Sequence, residues 1–112
     1  MASGAVPMVA ETDEQTLAGA IEQLARRGFT ESLSVVGNRL RGVETRKTFR
    51  PEDVVIREYR RFEGVSDPDD MSIVYAIETD IGTRGTLVDA YGVYSDPDVS
   101  AFLSTVRIRK TR

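Results

Sequence analysis

Hydrophobic and polar positions repeat with two different periods along this chain, and the change of period separates helices from strands. Apolar side chains at helical spacing predict an amphipathic helix over residues 13–27. Thr12 and Gln15 have the spacing of a capping box, and Gly28 is typical of the left-handed residue that follows a helix. The sequence therefore supplies both a start signal and a stop signal for this first helix.

The shorter alternation that follows the helix predicts a β-hairpin. Leu33 and Val35 share one parity, and the Gly-Asn pair at 37–38 fits a two-residue turn with glycine first. A turn of that length pairs Val35 with Leu40. Leu33 then faces Gly42, so the apolar side chains fall on one face of the hairpin. Turn length and hydrophobic pattern predict the same register.

Three longer strands are predicted in the second half of the chain. The segments 54–63, 71–80 and 86–94 are rich in β-branched and aromatic residues, and polar turns separate them. A change of parity near 57–59 predicts a β-bulge in the first of these strands. The segment 71–80 is apolar on both faces, which predicts a central position in the sheet.

A second helix is predicted near the C-terminus. Asp96 is a suitable N-cap, Pro97 suits the first helical position, and apolar residues continue at helical spacing to about 107. The predicted order of elements is α-β-β-β-β-β-α. We therefore expect an α+β fold in which both helices pack on one face of a five-stranded antiparallel sheet.

The length of 112 residues predicts a single domain. We place it at 12–108, between a disordered lead-in at 1–11 and a basic tail at 109–112. The net charge of −3 is unevenly spread, because residues 38–62 carry +4 and residues 63–100 carry −8. Such blocks can pair across a sheet or steer charged partners.

Membrane and secretory signals are not evident in the sequence. The apolar runs fall far short of the ~20 residues that a membrane-spanning helix needs. The N-terminal segment lacks the basic residues of a secretory signal. We therefore expect no membrane partner and a cytoplasmic location.

The chain contains no cysteine and no histidine. This excludes disulfides and thiolate nucleophiles, and it removes the commonest general base and the commonest metal ligand. Any catalysis would rest on carboxylates, Tyr, Lys, Arg or hydroxyl groups. We assign no catalytic residue and predict no cofactor.

Three stretches carry a resemblance to a known family: YRRFEGVSDPDD at 59–70, YAI at 75–77 and LVDAYG at 87–92. The chain is similar to a family of uncharacterised bacterial proteins of about this length. Their members are often labelled automatically as phosphoribosylpyrophosphate synthetase. The resemblance covers roughly 13–94, and it implies no established activity.

The residues do not support that enzymatic label. Such a synthetase needs two nucleotide-binding α/β domains, which is far more chain than is present here. The paired acids at 69–70 are followed by the opening of a strand instead of a Thr-Gly-rich loop. The glycine- and threonine-containing segment 81–86 lies between two strands, with no helix N-terminus behind it to hold a phosphate.

Two charged stretches have compositions that are found in binding sites. Asp67, Asp69 and Asp70 are suitable ligands for a hard cation, but the glycine of a calcium loop is missing, so a polar turn is favoured and no metal site is predicted. The basic residues of 38–62 alternate with aromatic ones, as in proteins that bind single strands. Interspersed acids and the acidic chain argue against nucleic acid as a partner.

Asp89 is the most unusual polar residue, because it lies inside an otherwise apolar strand. The polar or amphipathic residues on strands that could neighbour it are Arg61, Glu63, Tyr75 and Tyr91. Together with Asp89 they form a candidate ligand-binding site. The alternative is an internal ion pair between Asp89 and an arginine such as Arg61, which would fix the strand register.

Three functions remain open from the sequence. The first is a binding or regulatory module for a small polar ligand or a protein partner. The second is an enzyme that uses Glu63 or Asp89 as acid or base. The third is a structural protein that assembles through its sheet edges, which leaves a homodimer open.

Overall fold

The computed structural model of this protein describes residues 16–62, 72–90 and 95–108, in which there are two helices and seven strands. A short 3-10 helix at Pro51–Asp53 precedes the fourth strand. The segments predicted as a lead-in and a basic tail, 1–11 and 109–112, lie outside the described residues. The elements are α1 (Leu17–Arg26), β1 (Glu31–Val36), β2 (Arg39–Gly42), β3 (Thr48–Phe49), β4 (Val54–Phe62), β5 (Ser72–Thr79), β6 (Arg84–Ala90), α2 (Pro97–Leu103) and β7 (Arg107–Ile108).

The strands form one mixed sheet in the order β3-β2-β1-β6-β5-β4-β7. The α+β class is confirmed, but the prediction of five strands that are all antiparallel is wrong. β1 runs parallel to β6, and β7 runs parallel to β4. β3 and β7 have two residues each, which is too short to give a hydrophobic alternation. The partner of β1 is distant in sequence, so no local pattern specifies its direction.

The two helices lie on opposite faces of the sheet, which corrects the prediction that they share one face. Leu24 of α1 belongs to a buried cluster with Val74 and Ala76 of β5. Phe102 of α2 belongs to a second cluster, with Ile77 of the same strand. Successive side chains of a strand point to opposite faces, so β5 contributes to both cores. Its apolar residues on both faces reflect this three-layer arrangement, and its position between β4 and β6 confirms the predicted central location.

Helix α1 begins later than the sequence suggested. Thr16 has an extended backbone, and its hydroxyl accepts a hydrogen bond of 2.9 Å from the Gly19 N–H, which makes it the N-cap. The predicted cap at Thr12 therefore does not start this helix, and Thr12 itself lies outside the described residues. Gly28 has a φ of +103°, which confirms the predicted left-handed residue after the helix.

The predicted hairpin is confirmed in its register. Val35 pairs with Leu40 and Leu33 pairs with Gly42 in the antiparallel β1–β2 ladder. Gly37 has a φ of +63°, as the first residue of such a turn requires.

The boundaries of the later elements differ from the predicted ones by a few residues. β4 and β5 match the predicted strands closely, and β6 begins two residues early, with 91–94 outside the described residues. Asp96 caps α2 by accepting a hydrogen bond of 2.9 Å from the Asp98 N–H, and Pro97 opens the helix. α2 ends at Leu103, four residues before the predicted end, because the chain then turns into β7.

Within the described part of the chain, no helix is both long and apolar enough to cross a membrane.

A charged network attaches α1 to its face of the sheet. Glu58 of β4 forms ion pairs with Arg27, at the end of α1, at 2.9 Å and with Arg60 at 3.0 Å. Burial acts to raise the pKa of Glu58, but the hydrogen bonds and charges of Arg27 and Arg60 outweigh it and hold this pKa below its ordinary value. The carboxylate is therefore charged at neutral pH and stabilises the packing of α1.

We expect Glu58→Gln to lower the free energy of unfolding by about 1 kcal/mol at neutral pH, allowing for the exposure of Arg27. The pKa of Glu58 in the folded protein lies below its ordinary value of 4.5. The stabilisation by Glu58 is therefore fully present above pH 4.5, and it is lost as the pH falls through the folded-state pKa. Urea denaturation of both proteins across this range measures the effect. Glu22→Gln, which alters an exposed pair with Arg26, should cost less than about 0.5 kcal/mol. If the difference in the free energy of unfolding between the wild type and Glu58→Gln does not change with pH, this account is wrong.

Gly85 permits the close approach of β1 and β6. A β-carbon at this position would overlap the carbonyl oxygen of Glu31 and would lie 2.9 Å from Cγ of Leu33. We therefore expect Gly85→Ala to destabilise the protein by roughly 3 kcal/mol in thermal or urea denaturation. Gly37→Ala is the control: a β-carbon there has open space, so only its positive φ is penalised, at about 1 kcal/mol. Equal losses in the two variants would show that the β1–β6 contact is not tight.

Candidate functional site

Three neighbouring strands align the predicted site residues in two rows on the face that α2 covers. In one row, Arg61 of β4 pairs with Ile73 of β5, which pairs with Asp89 of β6. In the adjacent row, Tyr59 pairs with Tyr75, and Tyr75 pairs with Leu87. Residues two apart on a strand share a face, so both rows point towards α2.

A β-bulge in β4 places Tyr59 and Arg61 on this face, as the change of parity in the sequence predicted. The register shifts between Ile56 and Glu58, which leaves Arg57 as the extra residue. The Arg57 Nε donates a hydrogen bond of 2.8 Å to Oε1 of Glu78 on the adjacent strand. The bulge reverses the alternation, so Tyr59 and Arg61 share the face of Ile56.

A cavity of about 370 Å³ lies between these rows and α2. Its helical wall consists of two pairs of residues at i and i+4, one apolar (Val99 and Leu103) and one hydroxyl-bearing (Ser100 and Ser104). Such pairs lie on one side of a helix. The sheet contributes both apolar and polar groups: Ile56, Tyr59, Arg61, Ile73, Tyr75 and Asp89.

Three of the five predicted site residues meet in this cavity: Arg61, Tyr75 and Asp89. Glu63 and Tyr91 lie outside the described residues. The structure thus brings together the predicted residues that it describes, around one cavity.

Other lining residues were missed by sequence reasoning. Tyr59 lies two residues before Arg61 on the same strand and therefore shares its parity, so the sequence contained a signal for it. Ser100 and Ser104 are spaced as a polar stripe beside the apolar stripe of α2. Their contribution to a site depends on the face of the sheet to which α2 packs, which the sequence did not reveal.

Tyr75 lies in the adjacent row, close enough to both charged side chains of the cavity for each of them to act on its phenol. Burial is the main cause that raises the pKa of its phenol; Asp89 raises it further, and Arg61 acts in the opposite direction. The ring of Tyr59 is tilted against that of Tyr75, with 6.2 Å between centroids. The phenol of Tyr75 is therefore protonated at neutral pH and can donate a hydrogen bond, whereas it is poorly suited to act as a base.

Asp89 connects the sheet to the start of α2. Its Oδ1 accepts a hydrogen bond of 3.2 Å from the backbone N–H of Asp96, the N-cap of that helix. The structure thus gives Asp89 a structural partner other than the arginine that the sequence suggested. A carboxylate has two oxygens, so this bond leaves acceptor capacity for a ligand in the cavity.

Within residues 16–62, 72–90 and 95–108, no group of three carboxylates is placed to hold a metal ion. The acidic stretch at 67–70 lies outside those ranges. Comparison with protein-family models, with curated proteins and with solved structures gives no match to this chain. The family resemblance seen in the sequence therefore stays a prediction.

We expect Asp89→Ala to lower the free energy of unfolding by about 1 kcal/mol, because it removes one hydrogen bond to an exposed backbone group. Asp89→Asn retains an acceptor oxygen and should cost less. The control Asp98→Ala alters an exposed carboxylate in the first turn of α2 and should cost at most about 0.5 kcal/mol.

Urea denaturation measures these differences. A loss of 3–5 kcal/mol for Asp89→Ala that is partly recovered when Arg61 is also replaced would contradict this account. It would establish instead the internal ion pair that the sequence left open.

Proposed function

We propose that this protein is a small cytoplasmic binding module, and that the cavity between its sheet and α2 is the ligand site. The observation that carries the proposal is the convergence of Arg61, Tyr75 and Asp89 on one cavity. These three residues were selected in the sequence for their polar character and because their strands could neighbour each other. Their convergence on one cavity supports a shared role.

The size and composition of the cavity suit a small organic molecule. Ligand sites in proteins commonly have volumes of ~300–1,000 Å³ and combine a mostly apolar lining with a few polar groups. At about 370 Å³, this cavity lies at the lower end of that range. Its apolar surface comes from Ile73, Val99 and Leu103, and its polar groups include a guanidinium, a carboxylate and two phenols. This lining favours a small polar ligand with an apolar portion.

Binding is better supported than acid–base catalysis. A catalytic carboxylate pair requires a second acid close to the first. Among the described residues, Asp89 is the only carboxylate that lines the cavity. Tyr75, with its raised pKa, is a hydrogen-bond donor at neutral pH. These groups are arranged to recognise a ligand.

Assembly through sheet edges has less support. The outermost described strands are β3 and β7, and each has two residues. Very short edge strands are one means by which proteins limit edge-to-edge pairing. The sheet therefore gives no specific argument for a structural assembly.

Native mass spectrometry of freshly purified protein tests the proposal. We expect a small molecule to be retained by the wild type and lost in Ser100→Phe, because the larger side chain would occupy the cavity. Ala101→Phe is the matched control: it adds a similar volume on the same exposed stretch of α2, but Ala101 does not line this cavity. Circular dichroism and thermal denaturation confirm that both variants fold.

Retention of the ligand by Ser100→Phe would place binding elsewhere and overturn the proposal. Loss of the ligand from both phenylalanine variants would have the same consequence, because it would show that the effect is not specific to the cavity. Soaking the protein in a metabolite extract before the measurement loads a site that has emptied during purification. A wild type that retains nothing after this treatment would also count against the proposal.

A further inference from the structure

The charged groups of the cavity lie at opposite ends of one row of the sheet. Arg61 and Asp89 occupy the outer strands of that row, and Ile73 lies between them. Neighbouring strands are about 4.8 Å apart, so the α-carbons of Arg61 and Asp89 are about 10 Å apart. The floor between them is apolar, because Ile73 is only 6% exposed.

This arrangement selects against ligands of a single charge. An anion in contact with the guanidinium of Arg61 would also experience the carboxylate of Asp89. Coulomb energy falls in inverse proportion to distance. If the carboxylate of Asp89 is twice as far from the anion as the guanidinium is, its repulsion cancels half of the attraction by Arg61. A cation beside Asp89 would be opposed by Arg61 in the same way. A ligand with an anionic group at one end and a cationic group at the other would be attracted by Arg61 and by Asp89.

We infer that the ligand is a zwitterion, with an anionic group held by Arg61, an amine held by Asp89 and an apolar middle that lies over Ile73 and Tyr75. This inference rests on the function proposed above and names its ligand class. The donors of a guanidinium can form two parallel bonds to a carboxylate or phosphate. Asp89 retains an oxygen for the amine beside the one that binds the Asp96 N–H.

The electrostatics around Tyr75 are consistent with this orientation. The charges of Asp89 and Arg61 shift the pKa of its phenol in opposite directions, so both charged groups lie close enough to act on the same hydroxyl. That hydroxyl stays protonated at neutral pH and can donate to an acceptor in the middle of the ligand. Tyr59 packs beside it and extends the apolar floor.

Calorimetric titration with a matched set of probes tests the inference. The zwitterions are β-alanine, γ-aminobutyrate and ε-aminohexanoate, which differ in the separation of their charges. Hexanoate supplies the anion alone, and hexylamine supplies the cation alone. We expect the best zwitterion to bind at least about tenfold more tightly than either singly charged probe. We also expect this binding to be lost in Ser100→Phe and kept in Ala101→Phe.

Two charge variants assign the ends of the ligand. In Arg61→Gln, the zwitterion should bind no more tightly than hexylamine. In Asp89→Asn, the zwitterion should bind no more tightly than hexanoate. Arg39→Gln, an exposed arginine of β2 that does not line this cavity, is the control and should change neither ratio.

The outcomes separate this inference from the proposed function. If hexanoate or hexylamine binds wild-type protein as tightly as the best zwitterion, the ligand class is wrong. If no probe binds, but native mass spectrometry shows a ligand that Ser100→Phe removes, the inference fails and the proposed function stands. If no probe binds and no ligand is retained, both fail.

Discussion

The β-bulge in β4 is the constraint on which the candidate site depends. If Arg57 paired regularly with Ala76 instead of forming the bulge, the alternation of β4 would continue unbroken, and Glu58 and Arg60 would point towards α2. Tyr59 and Arg61 would then lie on the opposite face, away from Asp89. Glu58 would also lose its contact with Arg27 at the end of α1. One bulge therefore determines both the polar lining of the cavity and the attachment of α1.

The cavity also depends on a contact far from it in sequence. The parallel pairing of β1 with β6 brings the β1–β2 hairpin into the sheet, and the absence of a side chain at Gly85 allows the strands to approach. Leu33 and Leu40 of the hairpin then join Phe102 of α2 in one buried cluster. This packing fixes the helix over the sheet. The helical wall of the cavity is thus positioned by residues that do not line it.

The features that the sequence predicted correctly are those encoded within a few residues. The hairpin register, the bulge and the cap at Asp96 each depend on local turn chemistry or parity. The partner of β1 and the face chosen by each helix depend on residues distant in the chain, so local patterns did not specify them. The apolar residues on both faces of the segment 71–80 did indicate two covering layers, although they were interpreted only as a central position. Asp89 was recognised because a carboxylate in an apolar strand is anomalous, whereas Ser100 is unremarkable until α2 is placed.

The two roles of Asp89 are compatible because the scaffold around it is already ordered. Val99 and Phe102 are buried against the sheet, so α2 does not depend on Asp89 alone for its position. The hydrogen bond from the Asp96 N–H orients the carboxylate before any ligand arrives. A group held in place in this way loses little conformational freedom on binding, which lowers the entropic cost of association. A single carboxylate can therefore secure the start of the helix and present its remaining acceptor capacity to the cavity.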